Sequence, residues 1–138
     1  MDKNEQIKHV ENLLYQYKKT KRKIILMIEN LENIVLKKYS SIGGANSSNN
    51  EFKSEFEQKE EIKEKILKKI EDYKKLVKLT EDLLDSIKNE KYYKIIELKY
   101  LEKKTIEEIS EILEKTSRTI TTEKKRLIEI LAENLFPI

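Results

Sequence analysis

The 138-residue chain contains no cysteine and no tryptophan, one proline, two glycines and one histidine. Without cysteine there can be no disulfide and no thiolate metal site, a composition that suits a reducing compartment. The glycines stand together at Gly43 and Gly44 and the proline is Pro137, so few tight turns are available and most of the chain is expected to be long helix. The longest apolar run, IILMI from Ile24 to Ile28, is too short to span a bilayer, and no apolar signal region follows the N-terminus. A cytoplasmic protein with no membrane partner is expected. No glycine-rich phosphate loop, nucleophile motif or metal-ligand cluster is present, and His9 lies beside Val10 in a helical pattern, at an exposed or seam-edge position. The expectation is no enzyme, no metal and no cofactor.

Charge, by contrast, is abundant. Charged residues make up 40% of the chain against 38% hydrophobic ones, too little apolar material for one compact globule. Lysine and glutamate nearly cancel to a net charge of +3, which says little about partners. Arginine is scarce and therefore more informative: Arg22, Arg118 and Arg126 are the only three.

Two apolar stripes organise the first ninety residues. Ile7, Val10, Leu14, Tyr17, Ile24, Ile28, Leu31 and Val35 advance by alternating steps of three and four, with Lys21 in the interrupted slot, the pattern of a helix seeking a helical partner. After the polar stretch SSIGGANSSNN, Phe52, Phe56, Ile62, Ile66, Ile70, Tyr73, Val77, Thr80, Leu84 and Ile87 repeat the pattern. The simplest arrangement is an antiparallel coiled-coil hairpin over residues 1–90 with a loop at 40–50, each arm about 50 Å long. Beyond Glu90, Tyr93, Ile96, Leu98, Tyr100 and Leu101 are too densely spaced for a two-helix seam and call for a three-dimensional core. A second domain, 91–138, is therefore expected.

Within that domain Thr105 and Glu108 have the spacing of a capping box, opening a short helix to Leu113 with Ile106, Ile109, Ile112 and Leu113 turned inward. Thr116 or Ser117 caps a last helix reaching about Leu135. At 100° per residue, Ile120, Leu127 and Leu131 share one side of it, and Arg118, Thr121, Thr122 and Lys125 share the opposite side. Those polar types suit base edges in a major groove, arginine bonding guanine bidentately and threonine donating, accepting or touching a thymine methyl. Ser117, Arg118, Thr121, Thr122 and Lys125 are the candidate base contacts. Lys103, Lys104, Lys115, Lys124 and Arg126 flank them as candidate phosphate contacts. A bland reading stays open, since threonine and serine are ordinary caps and a KKR run is usually a solvated edge.

The stretch IIELKYLEKKTIEEISEILEKTSRTI resembles the region-4-type helix-turn-helix of bacterial sigma factors and related phage regulators, whose usual form runs IxLRYxEGxSxEEIAxxLGxSxxTV. Ile96, Leu98, Tyr100, Glu102, Thr105, Glu107, Glu108, Ile109, Leu113, Thr116, Thr119 and Ile120 fall on it without a gap. The trailing KKRLIEILAENLF and the opening VENLLYQYKKTKRKI are similar to phage late-gene regulators of the RinA and ArpU type. The chain departs from the pattern in its turns: Glu114 stands for the turn glycine, Lys115 for an apolar residue, Ser110 for alanine, and the earlier glycine is replaced within Lys103 and Lys104. The resemblance implies an all-α fold, a long helical hairpin followed by a small helix-turn-helix domain. It also implies a sequence-specific double-stranded DNA-binding regulator of phage or prophage late genes that works with RNA polymerase, with the hairpin forming a homodimer or engaging a partner. Two alternatives remain: a small terminase-like subunit in DNA packaging, and a coiled-coil scaffold or adaptor that binds no DNA.

Overall fold

The computed structural model describes residues 1–41 and 49–137, with side chains described for 1–33 and 56–137. Residues 42–48 of the expected loop, and the side chains of Val35 and Phe52 in the expected stripes, lie outside the described residues. Among the described residues every regular element is helical: α1 (Lys3–Ser41), α2 (Asn49–Ser86), α3 (Tyr93–Ile96), α4 (Ile106–Leu113) and α5 (Ser117–Leu135). The helices run further than the loop estimate of 40–50 allowed: Ser40, Ser41, Asn49 and Asn50 are helical. Serine and asparagine are only moderately poor helix formers, so a helical pattern can continue through them. Asp2 opens α1, its Oδ1 accepting from the Glu5 N–H at 2.8 Å and satisfying one of the donors that a helix start leaves without an intrahelical partner.

The chain divides into two compact units, one of Met1–Lys19 with Leu76–Ile138, the other Thr20–Lys75. The division expected between residues 90 and 91 falls inside the first unit, and the reason is visible in its core. Val10 and Leu14 of α1, Leu83 and Leu84 of α2, Ile87 just beyond it, Ile96 and Tyr100, and Leu127, Ile128, Leu131 and Ala132 of α5 form one buried cluster. Burial of each large aliphatic side chain contributes about 1.5–3 kcal/mol, so these segments are held as one body. Ile95, Leu98, Ile109 and Ile120 form a second cluster that ties α3, α4 and α5 together.

The segment from Tyr93 to Leu101 serves both clusters. α3 passes directly into a π-helical turn, Glu97–Leu101, closed by the Glu102 N–H donating to the Glu97 carbonyl at 3.0 Å. Ile95 and Leu98 face one cluster while Ile96 and Tyr100 face the other, which accounts for an apolar density no two-helix seam could use. Tyr100 is fully buried, and its hydroxyl donates to Glu11 Oε2 at 2.7 Å. Its ring meets Tyr15 edge-on at 4.8 Å. Burial, followed by the hydrogen bond to Glu11, pushes its ionisation far above the ordinary phenol range. Thr80, the one polar residue in the buried set, gives its hydroxyl proton to the Leu76 carbonyl at 2.8 Å. His9 is exposed and packs edge-on against Phe136 at 5.8 Å.

In the second unit Ile70 is buried and Ile24, Met27, Leu31, Ile66 and Tyr73 are half-buried. The Lys23 ammonium lies 5.7 Å from the centre of the Tyr73 ring, within reach of a cation–π attraction. Three residues of the expected stripes are exposed: Ile28 at 39%, Phe56 at 44% and Ile62 at 49%. An apolar pattern of period 3.5 drifts by about 20° per heptad on a straight α-helix. Such a stripe turns steadily away from any single line along the helix.

Candidate nucleic-acid interface

The polar face of α5 is positioned by the turns on either side of α4. Thr105 caps α4 with φ −78° and ψ 163°; its Oγ1 accepts from the Glu108 N–H at 3.1 Å, and Glu108 Oε1 accepts from the Thr105 N–H at 3.2 Å. That reciprocal pair is a capping box. The backbone hydrogen bond from Thr105 and then its hydroxyl hold the Glu108 carboxyl below its ordinary value. α4 buries Ile109 and half-buries Ile106 and Leu113, but Ile112, expected inward, is 51% exposed. It stands about 60° around the helix from Ile109, away from the line through Ile106 and Leu113, and one partner layer does not reach it.

α4 ends at Glu114 in the left-handed conformation, φ 55° and ψ 44°. The Ser110 carbonyl accepts from the Glu114 N–H and, at 3.2 Å, from the Lys115 N–H, so the helix closes as an αL terminus. The Ser110 hydroxyl donates forward to the Lys115 carbonyl. The serine standing in an alanine position is thus part of the turn. Thr116 then caps α5 with φ −67° and ψ 151°, its Oγ1 accepting from the Thr119 N–H at 3.2 Å and donating to Thr119 Oγ1 at 3.0 Å. Of the two residues offered by the sequence as the cap, Thr116 is the one used.

α5 is anchored through Ile120, Leu127, Ile128, Leu131 and Ala132. Ser117, Arg118, Thr121, Thr122 and Lys125 are all exposed and lie together on its first two and a half turns, a strip about 12 Å long. Ile128 and Ala132, buried, continue the angular line of Ser117, Thr121 and Lys125. Along that line the exposed residues end at Lys125, and Ile128 and Ala132 anchor the helix beyond it. No family model, curated protein or solved structure matches this chain.

The flanking cations differ in their surroundings. Lys115 is exposed in the turn before α5, and Lys124 is half-buried beside the anchored side. Lys103 is exposed with φ 55°, while Lys104 is half-buried with its N–H bonded to the Leu98 carbonyl at 2.9 Å. Arg126 is exposed but held: its Nε bonds Glu123 Oε2 at 2.8 Å and its Nη1 reaches Glu90 Oε1 at 3.4 Å. The Glu123 bond and then the Glu90 bond raise its ionisation further above its already high value. Paired with two carboxylates, Arg126 ties α5 to the residues before α3, while Arg118 and Lys125 are the exposed cations of the strip and Lys115 stands exposed in the turn before it. Glu123, which would repel phosphate if it faced a duplex, is turned to this bond. The Glu123–Arg126 spacing of three was legible as an i,i+3 pair; Glu90, distant in sequence, carried no such signal.

Among the described residues no group of three or more histidine, aspartate or glutamate side chains is placed to hold a metal ion, and no helix is long and apolar enough to cross a membrane. An open cleft elsewhere in the first unit is lined by Tyr17, Lys78, Glu81, Asp82, Asp85 and Tyr93, three carboxylates against one ammonium. Its carboxylates disfavour a phosphate backbone, which sets the cleft apart from the strip on α5.

Proposed function

We propose that this protein is a sequence-specific double-stranded DNA-binding transcriptional regulator that acts by binding and without catalysis. α4 and α5 serve as its helix-turn-helix, with the first turns of α5 in the major groove. The observation that carries the reading is the strip itself: Ser117, Arg118, Thr121, Thr122 and Lys125 stand exposed together while Ile120 and Leu127 are fully buried behind them. A helix presented by its N-terminal half is the usual mode of groove entry for this motif. An apolar docking head would instead place large anchors on that strip.

The backbone adds independent support. Among the described residues, Lys103 and Glu114 are the non-glycine residues with positive φ, and they occupy the two positions at which the sigma-like pattern carries glycine. The likeness to phage late-gene regulators motivates the finer proposal of late-gene control with RNA polymerase. The long helices α1 and α2 act as an antiparallel hairpin that dimerises. Within the first unit Tyr17 donates to Glu81 Oε2 at 2.6 Å, and within the second Lys23 meets Tyr73. Both pairings favour that course.

Selection of bound duplexes from a random pool at fixed salt tests the function directly. A recovered consensus is expected, and Arg118→Ala weakens binding to it by about 1–3 kcal/mol while changing nonspecific binding little. Lys115→Ala weakens all duplexes alike and lowers the salt slope by about 1. Equal losses on every sequence from both variants would remove base reading, and no binding at low salt would remove the function.

A further inference from the structure

Among the described residues, the most exposed large apolar side chains on the long helices are Ile25 at 57% and Leu26 at 58%. They are neighbours on α1 in the second unit. At 100° per residue, Arg22 and Glu29 fall between them in angle, all four within about 100° of arc. Ile24, Met27 and Leu31, half-buried, occupy the opposite side of the helix. The outer face of α1 thus carries an apolar centre with an exposed cation on its N-terminal side and an exposed anion on its C-terminal side. Arg22 and Glu29 stand equally far from the midpoint between Ile25 and Leu26, and about 10 Å from each other along the axis, too far to bond within one helix.

That order is self-complementary in one orientation only. We infer that this face pairs with the same face of a second copy of the chain, antiparallel about a twofold axis between Ile25 and Leu26. Ile25 of each copy then lies against Leu26 of the other, and Arg22 of each copy lies level with Glu29 of the other, giving two equivalent ion pairs around an apolar centre. An isologous contact of this kind closes on itself at two copies. A parallel arrangement sets Arg22 against Arg22 and Glu29 against Glu29, like charges that oppose association. The inference specifies the hairpin-dimer part of the proposed function and is independent of DNA binding.

The test is sedimentation equilibrium of the full chain without DNA, over a wide range of concentration, with helix content followed by circular dichroism. The wild-type protein is expected to form a dimer. Arg22→Glu and Glu29→Arg each weaken it by about tenfold or more, since each creates two like-charge contacts. The double variant Arg22→Glu with Glu29→Arg rebuilds both pairs with signs exchanged and restores the dimer to within about threefold, an outcome tied to antiparallel register. Leu26→Asp, with helix content retained, gives a monomer. A monomeric wild-type chain, single variants that dimerise normally, or a double variant no tighter than the singles would each overturn the assignment. Because no duplex is present, those outcomes leave the DNA-binding reading standing, and loss of DNA binding leaves this one standing.

Discussion

Replacing Glu114 by glycine is expected to stabilise the protein. A residue with a Cβ in the left-handed region costs about 1–2 kcal/mol relative to right-handed backbone, and Glu114, at φ 55° and ψ 44°, carries that cost. Glycine removes the steric part but brings a freer unfolded chain, a penalty of about 0.5–1 kcal/mol. The substitution also removes a negative charge from the C-terminus of α4, where the helix dipole disfavours it by about 0.3 kcal/mol. The net gain is about 0.5–1 kcal/mol, or a rise of roughly 2–4 °C in Tm for a chain of this size. Urea and thermal unfolding of wild type, Glu114→Gly and Glu114→Ala separate the contributions, because alanine removes the charge while keeping the Cβ. Glycine is expected to exceed alanine by at least about 0.5 kcal/mol. A glycine variant less stable than wild type would refute a left-handed Glu114, and equal gains from both would assign the effect to charge alone.

Three further outcomes follow from contacts of named side chains. Tyr100→Phe keeps the buried ring and removes the hydroxyl bonded to Glu11. Since Glu11 is half-exposed and water can replace the lost donor, chemical denaturation should show a loss of about 1–2 kcal/mol, and an unchanged midpoint would deny that contact. Burial, then the bond to Glu81, raises Tyr17 from 10.0 to about 12. The folded state therefore favours the neutral phenol, giving a contribution that is full below about pH 10 and lost as pH rises through about 12; Tyr17→Phe should flatten this part of the alkaline decline in Tm, and identical profiles would count against the linkage. Arg126→Ala should leave the salt slope of DNA binding nearly unchanged, since its charge is already matched by Glu123 and Glu90, whereas a drop of about 1 would make it a phosphate contact after all.

Local chemistry was the legible part of this chain. The box at Thr105 and Glu108, the cap at Thr116 and the buried side of α5 at Ile120, Leu127 and Leu131 all follow from spacings of three or four residues. Even the left-handed turns were marked, because Lys103 and Glu114 stand where a known pattern has glycine. What escaped the sequence depends on partners far along the chain. Ile128 and Ala132 are covered within the cluster that also holds Val10, Leu14 and Leu84. Glu90 reaches Arg126 across 36 residues, and Glu11 reaches Tyr100 across 89. Helical periodicity alone also overcounted burial, at Ile112 and at Ile28, Phe56 and Ile62, because it ranks the sides of a helix without saying how many layers will cover them.

The π-helical turn at Glu97–Leu101 makes this region a phase shifter. A helix with ordinary repeat through these residues would rotate everything after it by about 100° for each residue gained or lost, exchanging which apolar side chains meet α4 and which meet the ends of α1 and α2. The wide turn absorbs one such residue without breaking the backbone ladder, as π-bulges do. The spacing from Ile95 to Tyr100 therefore decides which apolar side chains reach which of the two clusters.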